Sequence, residues 1–292
     1  MVWFKVVMCF FATDLHGRVD RYEKLFDAIL IERPRAVFLG GDLFPSEFSV
    51  ITTEQGPIDD FLTDYLIKRL CDLRQELADD YPRVFVILGN DDPRSEEAAI
   101  VDAGSEGIWE YVHGGRVEFG AYVVYGYAYV SPTPFLLKDW ERYDVSRYVD
   151  PGCLSPEQGQ RTVTVDMRAE RAATIQADLE QLAGNAEMDR AIMLFHAPPY
   201  QSKLDRAALD GRMIDHVPVD VHVGSIAIRR FIESRQPLLT LHGHIHESAR
   251  LTGAWQDRIG NTVCLSAAHD GPELALVRFD PSNPSEAKRD LL

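Results

Sequence analysis

The sequence predicts an α/β protein (α+β in some classifications) in which two mixed β-sheets face each other and helices pack outside them. The first ninety residues alternate between strand-like and helical patterns, which favours parallel strands with active groups at their carboxyl ends. Two further strand-rich blocks follow, in the middle and near the end of the chain, and helical segments separate them. A chain of 292 residues suits one α/β domain, and we expect residues 1–292 to form it.

Hydrophobic patterns locate the elements of the first ninety residues. Buried strands are expected over residues 3–11, 36–39 and 83–88. Helices are expected over residues 19–32, where apolar side chains recur at helical spacing, and after Pro57. The first apolar run also resembles a signal peptide, but Lys5 interrupts it and no basic segment precedes it, so we interpret it as a strand.

The remaining two thirds of the chain contain two strand-rich blocks and an irregular connection. Strands are expected over residues 108–112, 116–119, 121–130, 191–195, 237–241, 251–255, 262–265 and 273–279. Helices are expected over residues 167–182 and from a cap at Ser225. Gly114 and Gly115 suit a hairpin turn. Residues 131–165 are rich in proline, glycine and aromatics, and so long a connection is usually functional, so we expect a flap over the substrate.

Composition limits the partners and the compartment of this protein. Its formal charge of −16 opposes binding to a phosphate backbone, which requires clusters of lysine and arginine. No apolar run approaches the ~20 residues of a membrane span. The four cysteines lie far apart without a paired motif, which favours a reduced, cytoplasmic protein. We therefore expect a small-molecule substrate rather than a nucleic acid or a membrane; the oligomeric state stays open.

Polar side chains that can bind metal follow five of the expected strands. They are Asp14-Leu15-His16, Gly41-Asp42, Gly89-Asn90, His196 and Gly243-His244-Ile245-His246. The first three motifs are common in ordinary turns, and a single histidine such as His196 is often only a hydrogen-bonded residue of the core or of a loop. Two imidazoles two residues apart, in contrast, are rarely needed for packing. Together, carboxylate, amide and imidazole groups at several strand ends are what a pair of divalent cations requires.

The order of these motifs resembles the calcineurin-like metallophosphoesterase superfamily, whose signature runs D-x-H, G-D, G-N-H-D/E, H and G-H-x-H. The resemblance spans residues 14–246 and implies a four-layer αββα sandwich. It also implies a dinuclear metal-dependent phosphoesterase, in which a hydroxide bridging the metals attacks phosphorus in line with the leaving oxygen. The sequence departs from the signature at Asp91, which stands where the family usually has histidine.

The resemblance implies seven metal ligands. Asp14, His16 and His246 would bind the first ion, Asn90, His196 and His244 the second, and Asp42 both. Catalytic roles would fall on Asp42, Asn90 and Asp91. Because the site has no thiolate, manganese or iron is expected ahead of zinc, although all three accept these ligands. The imidazolium that the family places at the Asp91 position would protonate the leaving oxygen or offset its charge, which an aspartate does less well.

The run from His196 to Glu247 is most similar to bacterial and archaeal proteins related to class III cyclic-nucleotide phosphodiesterases, which implies a small phosphodiester substrate. Three side chains are candidates for binding it. Trp140 could stack on a nucleobase. His222 precedes a helix whose amino end could face an anion. His242 directly precedes the last metal motif.

Three alternative functions fit parts of the sequence less well. A phosphomonoesterase of the protein phosphatase type would usually carry Asp-Arg-Gly, but Leu43, Phe44 and Pro45 follow Asp42. A DNA nuclease is opposed by the net charge of −16. A non-catalytic scaffold with this fold would be expected to lack some metal ligands, whereas all seven are present.

Overall fold

A computed structural model describes residues 7–45, 52–53, 56–57 and 60–292 of the protein. Its strands are β1 (Cys9–Ala12), β2 (Ala36–Gly40), β3 (Thr52–Thr53), β4 (Gly56–Pro57), β5 (Arg83–Ile87), β6 (Glu110–Tyr111), β7 (Arg116–Phe119), β8 (Tyr122–Tyr127), β9 (Ala191–Phe195), β10 (Met213–Ile214), β11 (Val217–Pro218), β12 (Leu239–His242), β13 (Gln256–Ile259), β14 (Thr262–Ser266), β15 (Ala275–Phe279) and β16 (Lys288–Leu291). Its α-helices are α1 (Val19–Glu32), α2 (Lys68–Leu77), α3 (Glu97–Ser105), α4 (Met167–Ala172), α5 (Ile175–Ala183), α6 (Ile226–Arg235) and α7 (Ser248–Thr252).

Two six-stranded mixed sheets form the centre of the fold. The first has the order β16-β15-β1-β2-β5-β6 and the second the order β13-β14-β12-β9-β8-β7. The sheets face each other, since Phe119 of the second packs against Phe38 and Phe85 of the first, with ring centroids 6.4 and 5.6 Å apart. The predicted sandwich of two mixed sheets flanked by helices is confirmed.

The central strands are continuous apolar runs because both of their faces are covered. All residues of β1, β2, β9, β12 and β14 are buried, as expected for parallel strands between another sheet and a helical layer. The helix α1 buries Tyr22, Leu25, Phe26 and Ile29 at the predicted spacing, and its C-cap is Arg33, whose φ is 48°. Local patterns therefore locate the core elements correctly.

The second predicted helix is confirmed from Phe61, where a π-helical segment, Phe61–Ile67, leads into α2. Its expected start at residues 58–59 lies outside the described residues, as do residues 3–6 of the first expected strand. Among the described residues, no helix combines the length and apolar character that crossing a membrane requires.

Two local predictions in the middle of the chain were wrong. Gly114 and Gly115 do not close a hairpin, because they connect β6 of the first sheet to β7 of the second. The β7–β8 hairpin instead turns at Gly120, whose φ of 60° suits glycine. The helix expected over residues 167–182 is two helices, α4 and α5, because Thr174 leaves the helical conformation and caps α5 through the N–H of Ala177.

The elements after His246 also differ from the prediction. Residues 251–255 were expected to form a strand, but the first two of them belong to the short helix α7, whose C-cap is Gly253 with a φ of 72°. Two strands were missed, β13 and β16. Both are edge strands with several exposed residues, so they lack the apolar run by which the central strands were recognised.

The centre of the irregular segment 131–165 is packed into the body of the protein. Lys138 and Glu141 form a fully buried ion pair with Nζ and Oε2 2.6 Å apart. Asp139 accepts hydrogen bonds from the backbone of Arg94 and from Thr162. A flap can therefore involve only the exposed parts of the segment. These include Phe135, Leu136 and Tyr148.

Trp140 was expected to stack on a substrate, and the structure contradicts this. The side chain is fully buried and packs against His113 and Tyr129, with ring centroids 5.0 and 5.5 Å away. The guanidinium of Arg94 lies over the same indole, 5.2 Å from its centroid. Trp140 therefore belongs to the core beneath the segment.

Replacing Trp140 with alanine should lower the free energy of unfolding by about 3–5 kcal/mol, because it leaves a large cavity in the core. Chemical denaturation followed by circular dichroism measures the change. Tyr148→Ala is the matched control, since Tyr148 lies in the same segment but is 68% exposed. An unchanged stability of Trp140→Ala, combined with a raised KM for nucleotide substrates only, would restore the stacking role.

Candidate metal centre

The predicted ligands lie together at the carboxyl ends of the central strands of both sheets. Asp14 and His16 follow β1, Asp42 follows β2 and Asn90 follows β5, and these three strands are neighbours in the first sheet. His196 follows β9, and His244 and His246 follow β12, its neighbour in the second sheet. One site therefore receives side chains from five strand ends.

Four of the predicted ligands have a strained backbone. Asp14, His16, Asp42 and His244 have φ values of 55°, 48°, 52° and 74°, in the left-handed region that residues with a side chain seldom adopt. Such conformations persist only where surrounding contacts impose them. Here the first two loops bind each other: the N–H of Asp14 donates to Gly41 O and that of His16 to Asp42 O, at 2.9 and 2.8 Å. A cluster of strained residues indicates a functional site.

Glycines allow the loops to approach so closely. A Cβ on Gly89 would lie 2.3 Å from Oδ1 of Asp42, and a Cβ on Gly243 would lie 2.8 Å from Oδ2 of Asp14. Neither position could hold a side chain without moving a carboxylate. The glycines in these two motifs are therefore explained by packing of the loops around the acids.

One group of ligand atoms surrounds Asp14. Asp14, His16, Asp42 and His246 each offer one ligand atom within 4.8 Å of the others. The Nε2 atoms of His16 and His246 lie 3.2 Å apart, and Nε2 of His246 lies 3.2 Å from Oδ1 of Asp14. Ring nitrogens and carboxylate oxygens directed at one point are the arrangement that a divalent cation needs.

A second group surrounds His196. Its Nδ1 donates to the carbonyl oxygen of Gly40 at 2.8 Å, which orients Nε2 towards the site. Nε2 points at Oδ1 of Asn90 and Oδ2 of Asp42, at 3.1 and 3.3 Å. The ring of His244 lies beside it, with centroids 5.2 Å apart. Oδ2 of Asp42 also lies 3.9 Å from Nε2 of His16, so this carboxylate stands between the two groups.

The two buried carboxylates, Asp14 and Asp42, and the histidines that face them shift each other's pKa values. Burial acts to raise the pKa of Asp14 and of Asp42, but the facing rings of His246 and His196 outweigh it, and both values are lowered. In turn, burial acts to lower the pKa of both histidines, but Asp42 raises that of His196 to about 10 and Asp14 raises that of His246 to about 9. A site with this electrostatic character fits bound cations.

Asp91 and Asp92 have different environments. The side chain of Asp91 is 44% exposed at the edge of the site, accepts a hydrogen bond from Asn90 Nδ2 at 3.1 Å and lies 3.7 Å from Nδ1 of His16. Asp92 is fully buried and accepts from the backbone N–H groups of Leu43, Phe44 and Gly89 at 2.7 to 2.9 Å. It joins the loops that carry Asp42 and Asn90. Sequence reasoning overlooked Asp92, although it is the closing acid of the family signature.

His242 is a structural residue. It is fully buried, its Nδ1 donates to Ala197 O at 2.9 Å, and its Nε2 lies 2.7 Å from Oγ1 of Thr240. The ring also stacks on Phe195 at a centroid distance of 5.6 Å. Since both nitrogens are used inside the protein, the expected contact with substrate is corrected: His242 braces the chain that follows His196.

The amino end of α6 is not open to an external anion. Ser225 caps this helix, as predicted, but the carboxylate of Asp144 accepts from the N–H groups of Ile226 and Ala227 at 2.7 and 3.1 Å. An acid of the protein itself therefore occupies the place where an external anion was expected. Any role of His222 in binding substrate must rest on other contacts.

A family comparison agrees with this site. Residues 9–248 match the model of the calcineurin-like phosphoesterase family. The chain belongs to this family, and it is a metal-dependent phosphoesterase. No curated protein sequence matches it.

Solved structures of distant relatives have the same fold. The protein TT1561 of Thermus thermophilus is 15% identical with a TM-score of 0.56, covering 98% of this chain and 99% of its own. The phosphopantetheinyl hydrolase of Mycobacterium tuberculosis is 13% identical with a TM-score of 0.51, covering 90% of this chain and 89% of its own. A dimetal phosphatase from Danio rerio is 12% identical with a TM-score of 0.51, covering 94% and 93%. At these identities the likeness concerns the fold alone.

Proposed function

We propose that this phosphoesterase is dinuclear and that it hydrolyses a small phosphodiester, such as a nucleotide ester or a cyclic nucleotide. The observation that carries the proposal is the position of Asp42, whose Oδ2 lies 3.9 Å from Nε2 of His16 and 3.3 Å from Nε2 of His196. A carboxylate between two ligand groups is suited to bridge two cations, because its charge offsets the repulsion between them.

The proposed ligand set divides around that carboxylate. Asp14, His16 and His246 would hold one ion, Asn90, His196 and His244 would hold the other, and Asp42 would be shared. When bound, the metals activate water for attack on phosphorus and offset the charge on the phosphoryl oxygens. We propose manganese or iron ahead of zinc, because the donors are oxygens and imidazole nitrogens and include no thiolate.

The surrounding groups orient these ligands. The N–H of Asp91 donates to Oδ1 of Asp42 at 2.8 Å, which directs Oδ2 towards the two histidine groups. The carboxylate of Asp91 accepts from Nδ2 of Asn90, which turns the amide oxygen of Asn90 towards His196. Burial lowers the pKa of His244 to about 3, so its ring is neutral and can offer a lone pair.

The preference for a diester rests on Asp91. An aspartate is never cationic, so it cannot offset charge on the leaving group as the family's imidazolium can. When ionised it repels a phosphomonoester dianion more strongly than a phosphodiester monoanion. The overall charge of −16 likewise supports a small substrate over a nucleic acid polymer. We further propose that the chain forms one domain and works in the cytoplasm.

Hydrolysis of bis(p-nitrophenyl) phosphate tests this function. Protein stripped with a chelator should be inactive, and added Mn²⁺ or Fe²⁺ should restore release of p-nitrophenolate, with kcat/KM at least about tenfold above that for p-nitrophenyl phosphate. Metal analysis should find two equivalents per chain. A protein that binds one equivalent, or that cleaves only the monoester, would contradict the proposal.

A further inference from the structure

A buried carboxylate orients a partly exposed histidine outside the predicted ligand set. Nδ1 of His222 lies 2.8 Å from Oδ1 of Asp205, whose side chain is fully buried while that of His222 is 30% exposed. Nδ1 therefore donates to the carboxylate, and in the neutral tautomer this bond leaves Nε2 as an acceptor. None of the hydrogen bonds found among the described residues uses Nε2 of His222.

Asp205 is held rigidly enough to fix that ring. Its two oxygens also accept from the backbone N–H groups of Gln201, Ser202 and Gly224 at 2.8, 3.0 and 3.2 Å. A Cβ on Gly224 would lie 2.8 Å from Cβ of Asp205, so the chain around it is closely packed. A buried acid with four hydrogen bonds can set the orientation of a partner that solvent reaches.

The pair lies beside the loops that carry two of the proposed ligands. Gly224, two residues after His222, packs against Pro198 and Pro199, which follow His196. The backbone of His222 pairs with that of Arg206, whose N–H donates to Oγ of Ser248, two residues after His246. The loop of His222 therefore packs against the segment that follows His196, and one chain segment separates it from the loop after His246.

We propose that His222 is a positioning residue that binds the part of the substrate that is not transferred. This inference rests on the proposed function. Nε2 accepts a hydrogen bond from a hydroxyl or N–H group, so the structure favours a diester that carries such donors, as the sugar and base of a nucleoside do. The Asp205–His222 pair determines affinity for that part of the molecule and takes no part in bond cleavage.

Two esters with one leaving group separate this role from catalysis. Thymidine 5′-p-nitrophenyl phosphate and methyl p-nitrophenyl phosphate both release p-nitrophenolate, and they differ only in the group that stays on phosphorus. His222→Asn keeps an amide donor to Asp205 but removes the Nε2 acceptor. It should raise KM for the thymidine ester about tenfold and leave kcat unchanged, because the loss of one hydrogen bond weakens binding by about that factor. Both constants for the methyl ester should stay unchanged.

His216→Asn is the matched control, because His216 is an exposed histidine in the same part of the chain. It should leave both esters unaffected. A loss that both esters share equally, or no loss with either, would overturn the positioning role while the proposed function stands. A manganese-loaded wild-type protein that cleaves neither ester would overturn both.

Discussion

Asp42→Asn is expected to abolish turnover and to lower metal occupancy at both positions together. Asp42 is the one predicted ligand whose oxygen stands between the two groups, 3.9 Å from His16 Nε2 and 3.3 Å from His196 Nε2. An amide has nearly the same shape but no charge, so two cations would repel each other without compensation. Loss of several kcal/mol of such stabilisation corresponds to about 10³-fold or more in rate.

Elemental analysis and hydrolysis of bis(p-nitrophenyl) phosphate measure the two effects. Asp27→Asn is the matched control, since it makes the same chemical change at an exposed aspartate of α1. The control should retain metal and activity. If Asp42→Asn kept one equivalent of metal and lost the other, Asp42 would be a ligand of a single ion; two equivalents and normal turnover would remove it from the ligand set altogether.

Asp91→His is expected to improve hydrolysis of phosphomonoesters by on the order of 10²-fold or more, the usual contribution of a general acid. The side chain is 44% exposed beside His16, so an imidazole has room at this position. The wild-type enzyme should depend strongly on the pKa of the leaving group and should prefer aryl diesters. Values of kcat/KM for p-nitrophenyl phosphate, an alkyl monoester and bis(p-nitrophenyl) phosphate test this.

Asp91→Asn separates charge from proton donation. It removes the negative charge and supplies no acid, so it should relieve repulsion of the monoester only in part. A gain equal to that of Asp91→His would assign the whole effect to charge. A wild-type enzyme that cleaves alkyl monoesters as fast as aryl diesters would show that the missing histidine has no consequence here.

The position of the metal-binding motifs at the ends of strands explains why the site could be recognised from the sequence. In parallel strands the carboxyl ends lie at one edge, so polar residues that follow apolar runs must meet there. The motifs after β1, β2 and β5 meet in the first sheet, and those after β9 and β12 in the second. Each motif alone is ambiguous, but the sequence shows that all of them follow apolar runs.

Elements with a local signal could be predicted from the amino-acid sequence. Apolar runs over β1, β2, β5, β9 and β12 marked the central strands, because strands covered on both faces contain few polar residues. Helical spacing marked α1, and Ser225 marked the start of α6. These features depend on neighbours within a few residues, which the sequence displays directly.

The roles of isolated polar and aromatic side chains emerged from the three-dimensional packing. Trp140 lies in an irregular segment and yet is fully buried, because Tyr129, His113 and Arg94 surround it from other parts of the chain. Asp92 and Asp144 bind backbone N–H groups 48 or more residues away in sequence. The pairing of His222 with Asp205 likewise depends on two loops folding together. Burial and hydrogen-bond partners of this kind are set by contacts between distant segments, which no local pattern records.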